Sequence, residues 1–115
     1  AWFDNAWTGR KALTIDATQV AGDVVDFPVL ISLNVDAELA AQALANGDDI
    51  VFTAADGVTQ LAHEMEYFDE TTGQLRAWVN TDLSASVDTA IYIYYGNGAA
   101  TKQENAAGVW DSNYV

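Results

Sequence analysis

Hydrophobic and polar residues alternate along most of the chain, and the short apolar runs end at turn residues. In KALTIDA (11–17), Leu13 and Ile15 share one face of an extended chain, and Ala12 and Thr14 share the other. This period of two predicts a β-strand with one buried face.

Two further segments have the character of strands. DFPVLISLNV (26–35) is almost continuously apolar, with Val29, Ile31 and Leu33 on the face opposite Leu30. Such a run predicts a strand covered on both faces, or one whose outer face is partly buried. DIVFTAADG (49–57) predicts a strand with its residues 50 and 52 turned inward.

One segment, DAELAAQALANGDD (36–49), breaks this pattern. Its apolar residues recur at helical spacing: Leu39, Ala40, Ala43 and Leu44. Asp36 can cap the start of a helix, and Asn46-Gly47 can end it. We therefore expect one short amphipathic helix near residues 37–45.

QLAHEMEYFD (60–69) and QLRAWVNT (74–81), joined by a turn, are expected to pair as a hairpin. One face would carry His63, Met65, Tyr67, Leu75, Ala77 and Val79. The other would carry Glu64, Glu66, Phe68, Gln74, Arg76 and Trp78. In this register Arg76 lies beside Glu66, and a cross-strand ion pair would support it.

The last strand is predicted in AIYIYYGNGAA (90–100), where Gly-Asn-Gly ends the run. Its core face would carry residues 91, 93 and 95, which leaves Tyr92 and Tyr94 on the other face. We expect at least one of these two tyrosines to be substantially buried. The pattern as a whole predicts an all-β, jelly-roll-like β-sandwich of about six to eight short antiparallel strands with one short helix, forming a single domain over residues 1–115.

Charge narrows the classes of partner. The chain has 17 acidic and four basic residues, a net charge of −13, which argues against nucleic-acid binding because lysines and arginines for phosphates are missing. No apolar run approaches the ~20 residues of a membrane-spanning helix, so we expect no membrane insertion. Twelve of the acids are aspartate; they form a solubilising surface, or loop carboxylates coordinate a structural Ca²⁺.

Catalytic patterns are weak. His63 and the two glutamates of HEMEYFDE point to opposite faces of a strand, and the chain has no second histidine for a helical metal motif. Glu64 and Glu66 share a face, as a glycosidase pair could, but neighbouring same-face carboxylates are commonly solvated. None of the serines lies in a G-x-S-x-G turn. We expect a non-catalytic protein.

Aromatic residues are the stronger candidates for binding. The chain has thirteen, including Trp2, Phe3 and Trp7 near its start and Trp110 and Tyr114 near its end. Tryptophan and tyrosine rings suit stacking on the C–H face of a sugar, but strands also favour aromatics for packing. The terminal tryptophans, Trp2 and Trp110, could instead pack against a neighbouring domain of the same chain.

Six segments in order resemble a bacterial family catalogued as domain of unknown function 2341. They are Trp7-x-x-Arg10 with Ile15, FPVLISL (27–33), DGVTQLAHEMEYFD (56–69), GQLRAWV (73–79), TAIYIYYGN (89–97) and VWDSNYV (109–115). Family members occur in large secreted or periplasmic proteins and in some MotA/TolQ/ExbB-type proteins, often before a concanavalin-A-like (LamG-type) domain. The resemblance implies an extracellular, cell-surface or periplasmic location and a domain excised from a larger protein, with another domain after Val115.

We therefore expect a non-catalytic extracellular binding module for carbohydrate; the alternative is a structural spacer of a surface protein or adhesin with no ligand of its own, and the minor alternative is a glycoside-cleaving enzyme. A glycan would lie on an exposed, coplanar aromatic pair. The candidate ligand-binding residues are Trp7, Arg10, Glu64, Glu66, Trp78, Tyr92 and Tyr94. A spacer would bury these aromatics, and an enzyme would place two carboxylates in a cleft.

Overall fold

A computed structural model shows two antiparallel sheets packed face to face, and it describes residues 2–44 and 46–110. The strands are β1 (Gly9–Ile15), β2 (Val24–Leu33), β3 (Val51–Ala54), β4 (Gln60–Leu61), β5 (His63–Asp69), β6 (Gln74–Leu83) and β7 (Thr89–Tyr95). Two short helices, α1 (Ala37–Gln42) and α2 (Ala106–Val109), and a 3-10 turn (Ala17–Gln19) accompany them. The prediction of an all-β sandwich is confirmed.

The strand order is β1-β7-β3-β4 in a four-stranded sheet and β2-β6-β5 in a three-stranded sheet. The predicted single strand 60–69 is wrong in one respect, because it breaks at Ala62 and its two parts, β4 and β5, belong to different sheets. At this change of sheet the Asn80 backbone amide donates a hydrogen bond to the Ala62 carbonyl. The change of sheet closes one side of the sandwich, whereas β1 and β2 are the free edges of their sheets.

The core lies between the sheets and follows the period of two. Its buried residues are Ile31, Leu39, Ile50, Phe52, Leu75, Ala77, Val79, Ile91, Ile93 and Tyr95. The predicted inward positions Ile50 and Phe52 and the predicted core face of β7 are thereby confirmed. Each fully buried large apolar side chain contributes about 2 kcal/mol of transfer free energy, so this layer is the main source of stability.

The predicted hairpin register is correct at its open end and wrong near its turn. His63 pairs with Val79 and Met65 with Ala77, but a bulge at Glu66 then shifts the register by one residue. Arg76 therefore lies opposite Tyr67 rather than Glu66, so the proposed ion pair is not formed. Beyond the bulge Phe68 packs against the core and Tyr67 is exposed, the reverse of the prediction.

The helix near 37–45 is confirmed in type but is shorter than predicted. Asp36 caps it by accepting hydrogen bonds from the Glu38 and Leu39 amides, yet it ends at Gln42, before Asn46-Gly47. Asp36 also accepts from the Lys11 ammonium, which joins α1 to β1. Desolvation lowers the pKa of Lys11, but hydrogen bonds to Asp36 and Glu38 and the attraction of their charges together outweigh that effect, so the pKa is raised.

The sequence pattern did not predict α2, which packs against β2, β5 and β6 on the outer face of the three-stranded sheet. Asn105 caps it through a hydrogen bond from the Gly108 amide, and Val109 is fully buried. Within the described residues no helix is long and apolar enough to span a membrane. Residues 111–115, including Tyr114 and most of the VWDSNYV segment, lie outside that part.

Candidate binding surfaces

The outer face of the four-stranded sheet carries four of the seven candidate residues. β7 alternates, so Tyr92 and Tyr94 face away from the core, and Arg10 of β1 lies opposite Tyr94. Trp7 packs on the same face with Tyr94 and Val51. The fold therefore brings Trp7, Arg10, Tyr92 and Tyr94 together on one outer face, as a carbohydrate-binding surface of aromatic residues would require.

Tyr94, however, is fully buried, which confirms the expectation for at least one of the two tyrosines. Its hydroxyl accepts from the Phe3 amide (3.1 Å) and from Arg10 Nη1 (3.0 Å), and it donates to the Gly57 carbonyl (2.7 Å). One phenol thus joins the N-terminal segment, β1 and the turn after β3. Both lone pairs and the proton are in use, so this hydroxyl has no capacity left for a ligand.

Arg10 lies in a cage of aromatic rings. Its guanidinium carbon is 4.3 Å from the Tyr92 ring centroid, 4.9 Å from that of Trp2 and 5.9 Å from that of Tyr94. Cation–π contacts of this kind contribute about 0.5–2 kcal/mol, more as the cation is desolvated. Arg10 thereby holds the half-buried Tyr92 and the partly exposed Trp2 against the sheet.

Trp7 is 8% exposed and is fixed from both ends. Its indole N–H donates to the Asp49 carbonyl, and its ring meets Phe3 edge-on at 5.1 Å. Asp49, which sequence reasoning missed, is itself fully buried and accepts from the amides of Leu44, Gly96 and Asn97. In the sequence Asp49 is only the second residue of an Asp-Asp pair after Gly47, a pattern that is common in turns and does not indicate burial.

The other candidates lie on the opposite side of the sandwich. Glu64 and Trp78 are paired across β5 and β6, on the outer face of the three-stranded sheet. Trp110, just after α2, covers them: its indole N–H donates to Glu64 (3.2 Å) and its ring centroid lies 5.3 Å from that of Trp78. Glu66 is the unpaired residue of the β5 bulge and is exposed.

The seven candidates consequently divide between two outer faces and cannot form one site. Neither same-face pair is coplanar, because the Tyr92 and Tyr94 rings are inclined by 57° and the Trp78 and Trp110 rings by 56°. A parallel pair of rings, the feature expected of a sugar platform, is therefore not formed by these residues.

A polar cleft of about 490 Å³ lies at one end of the sandwich, between the two sheets. It is lined by Asp26, Ala54, Ala55, Thr59, Leu61, Asn80, Thr81, Asp82, Asp88, Thr89 and Ala90. Asp26 has a positive φ of 52° in the β2 bulge, and it is held by Asp82, which accepts from its amide, and by Asn80, which donates to its carbonyl. No candidate residue named from the sequence lines this cleft.

His63 faces the core, where it is 1% exposed and meets Phe52 edge-on at 5.2 Å. Desolvation lowers its pKa to about 4, and the charge of Glu104 opposes this only in part. Nδ1 has no hydrogen-bond partner within the described residues. The imidazole is therefore neutral at pH 7 and lies away from both glutamates. Among the described residues no group of three or more histidine or carboxylate side chains is arranged to hold a metal ion.

Comparison with protein families gives one match. The family described as Domain of unknown function (DUF2341) matches residues 46–113, more than half of the chain, so the chain belongs to this family. The resemblance seen in the sequence is thereby confirmed. The search of curated proteins and the search of solved structures each returned no match.

Proposed function

We propose that this chain is a non-catalytic structural module of a larger extracytoplasmic or cell-surface protein. The observation that carries the proposal is that its two terminal segments are fastened by aromatic residues to the outer faces of opposite sheets. On one face Trp2, Phe3 and Trp7 pack over Tyr94. On the other, Trp110 packs over Trp78.

This arrangement suits a structural module that holds the neighbouring domains of a larger protein at fixed positions. Residues 2–8 and 103–110 are anchored to the sandwich by hydrogen bonds and ring contacts. They therefore hold a fixed position relative to the two sheets. Trp2 remains 39% exposed and Trp110 half-buried, which leaves apolar surface for an adjacent domain of the same protein. The acidic surface favours solubility outside the cell and disfavours anionic partners.

The hydroxyl of Tyr94 provides the first test. We expect Tyr94→Phe to lower the free energy of unfolding by about 2 kcal/mol, because the Phe3 amide, Arg10 and the Gly57 carbonyl each lose a partner. Tyr92→Phe is the matched control, since the Tyr92 hydroxyl makes no hydrogen bond within residues 2–44 and 46–110. Urea unfolding of both variants measures the difference, and equal values would contradict the anchoring role.

A glycan array separates this function from the carbohydrate-binding alternative. The structural proposal expects no saturable binding by the folded protein, with Trp78→Ala and Tyr92→Ala indistinguishable from wild type. Saturable binding that either variant abolishes would show that an aromatic face binds sugar and would refute the structural reading.

Carbohydrate binding remains a second candidate because of the polar cleft. Its volume is in the range of small-molecule sites, and carboxylate, amide and hydroxyl groups there could hydrogen-bond sugar hydroxyls over an apolar floor of Ala54, Leu61 and Ala90. In this case Thr89→Val would abolish binding on the array while Trp78→Ala would not. Asp88→Asn is less informative, because Asp88 also accepts from the Ala17 amide.

A further inference from the structure

An apolar pocket of about 290 Å³ opens beside the polar cleft, at the same end of the sandwich. It is lined by Gln19, Val20, Ala21, Gly22, Val24, Phe27 and Leu83. Phe27 is 38% exposed, and Val25, in the β2 bulge beside the lining residue Val24, is largely solvent-exposed. The pocket and these side chains form an apolar patch that the described chain does not cover.

Five aspartates lie close to this pocket through chain or hydrogen-bonded neighbours, although none of them lines it: Asp16, Asp23, Asp26, Asp82 and Asp88. Asp16 accepts from the Thr18 amide, Asp23 from Ala85 and Asp88 from Ala17, next to the lining residues 19–24. Asp26 and Asp82 are chain neighbours of Phe27 and Leu83, and the Asp82 carboxylate accepts from the Asp26 backbone amide. We call the pocket and these five aspartates the acidic end.

Within residues 2–44 and 46–110, none of the four basic side chains forms an ion pair with these five aspartates. Arg10 and Lys11 lie in the first half of β1, opposite Tyr94 and Ile93, and Lys102 pairs with Glu104. Arg76 is in the first half of β6; at roughly 3.3 Å per residue it is roughly 23 Å from Leu83. The acidic end therefore combines an open apolar pocket with uncompensated negative charge.

We propose that the acidic end docks an extended segment of a partner protein in which an aliphatic or aromatic anchor is flanked by lysine or arginine. The anchor fills the pocket, and the flanking cations face the aspartates. A second copy of this chain fits poorly because each copy carries a net charge of −13, and an anionic lipid surface is repelled for the same reason.

The probe is a short fluorescein-labelled peptide with a central phenylalanine flanked by lysines on both sides, titrated against the whole chain. We expect saturable binding at low ionic strength that weakens at least about 10-fold as salt rises from about 0.05 to about 0.5 M. Replacing the phenylalanine by alanine, or the lysines by glutamate, is expected to abolish it. Absence of binding by the lysine–phenylalanine peptide would overturn the proposal.

Protein variants separate docking from general attraction to an acidic protein. Asp16→Asn with Asp23→Asn keeps the acceptor oxygens and removes two rim charges, and we expect binding about 5-fold weaker. Glu66→Gln with Glu70→Gln removes two exposed charges from the distant β5–β6 hairpin and should change it less than 2-fold, by the same screening argument. Equal weakening by both pairs would refute a local site.

The apolar contribution to peptide binding is tested by a second pair of matched variants. Val25→Ser and Val35→Ser alter valines of nearly equal exposure, 75% and 74%, at the acidic end and in the loop before α1. Only Val25→Ser, like Phe27→Ser in the pocket wall, is expected to weaken peptide binding. Equal effects of the two valine variants, or co-sedimentation with anionic phospholipid vesicles as strong as peptide binding, would contradict the proposal.

Discussion

The aspartates of this chain act mainly as local hydrogen-bond acceptors for backbone amides. Asp36 caps α1, while Asp16, Asp56 and Asp69 each accept from an amide two residues ahead and from a nearby threonine hydroxyl. These bonds to threonine lower the pKa of Asp16, Asp56 and Asp69. These hydrogen bonds to nearby backbone amides account for the frequency of aspartate in the turns.

The same reasoning gives a prediction about calcium. Because the turn carboxylates already have amide and hydroxyl partners, we expect the melting temperature to be unchanged by a chelator or by millimolar Ca²⁺. A thermal melt in each condition checks this, with a magnesium sample as the control for ionic strength. A rise in Tm specific to Ca²⁺ would show a structural ion.

Asp49 is the residue whose loss we expect to be most damaging. Its carboxylate is fully buried and accepts from three amides in two segments of chain, and the residues that donate them are partly buried. Asp49→Ala should lower the free energy of unfolding by about 3–5 kcal/mol. Asp48→Ala, at its neighbour, serves as the control in urea unfolding, and a cost of under about 1 kcal/mol for Asp49→Ala would contradict this role.

His63 predicts a pH dependence. Its pKa is about 4 in the folded chain against 6.5 unfolded, so the unfolded state binds the proton first as the pH falls. The contribution of His63 to the free energy of unfolding is therefore fully present above about pH 7 and is lost as the pH falls toward 4. We expect a loss of about 2 kcal/mol between pH 7 and pH 5. His63→Leu should lose less stability than wild type over the same interval; parallel pH profiles of urea unfolding would refute this.

At the level of elements, period-two alternation predicted most of the strands and the core face of β7. Ile91, Ile93 and Tyr95 are buried as predicted because one face of β7 meets the other sheet. What alternation could not reveal was a change of sheet at Ala62 or an unpaired residue at Glu66, since both depend on partners distant in sequence. Likewise α2 has too few residues for a helical period and is stabilised by packing on the sheet.

The β5–β6 turn shows how an element is positioned by a single glycine. Gly73 has a φ of +75°, and a Cβ there would lie 1.9 Å from the Asp36 carbonyl oxygen, beside the cap of α1. Gly73→Ala should cost at least about 3 kcal/mol, from both backbone strain and displacement of α1. Gly98→Ala, which adds a Cβ in open space, is the control in thermal unfolding; similar melting temperatures for the two variants would contradict the close approach.

For the whole molecule, the binding residues proposed from the sequence could be grouped only by strand face. That was enough to place Tyr92 and Tyr94 on one face, but not to show that Arg10 joins them or that Tyr94 is buried beneath the N-terminal segment. Segments without periodicity, such as residues 2–8 and 101–110, carry no signal of where they will pack. The polar cleft and the acidic end were unpredicted for a related reason: their residues come from loops and strand ends that only the sandwich brings together.

The central claim is that both terminal segments are fixed parts of the sandwich, and hydrogen exchange tests it most directly. The Phe3 and Trp7 amides bond to the Tyr94 hydroxyl and the Asp4 carbonyl, and the Asn105 amide bonds to the His63 carbonyl. We predict that peptides covering residues 2–8 and 103–110 exchange at least about 100-fold more slowly than unstructured chain, and that Tyr94→Phe releases only the first. Exchange of either segment at the unstructured rate in the wild-type chain would contradict the account.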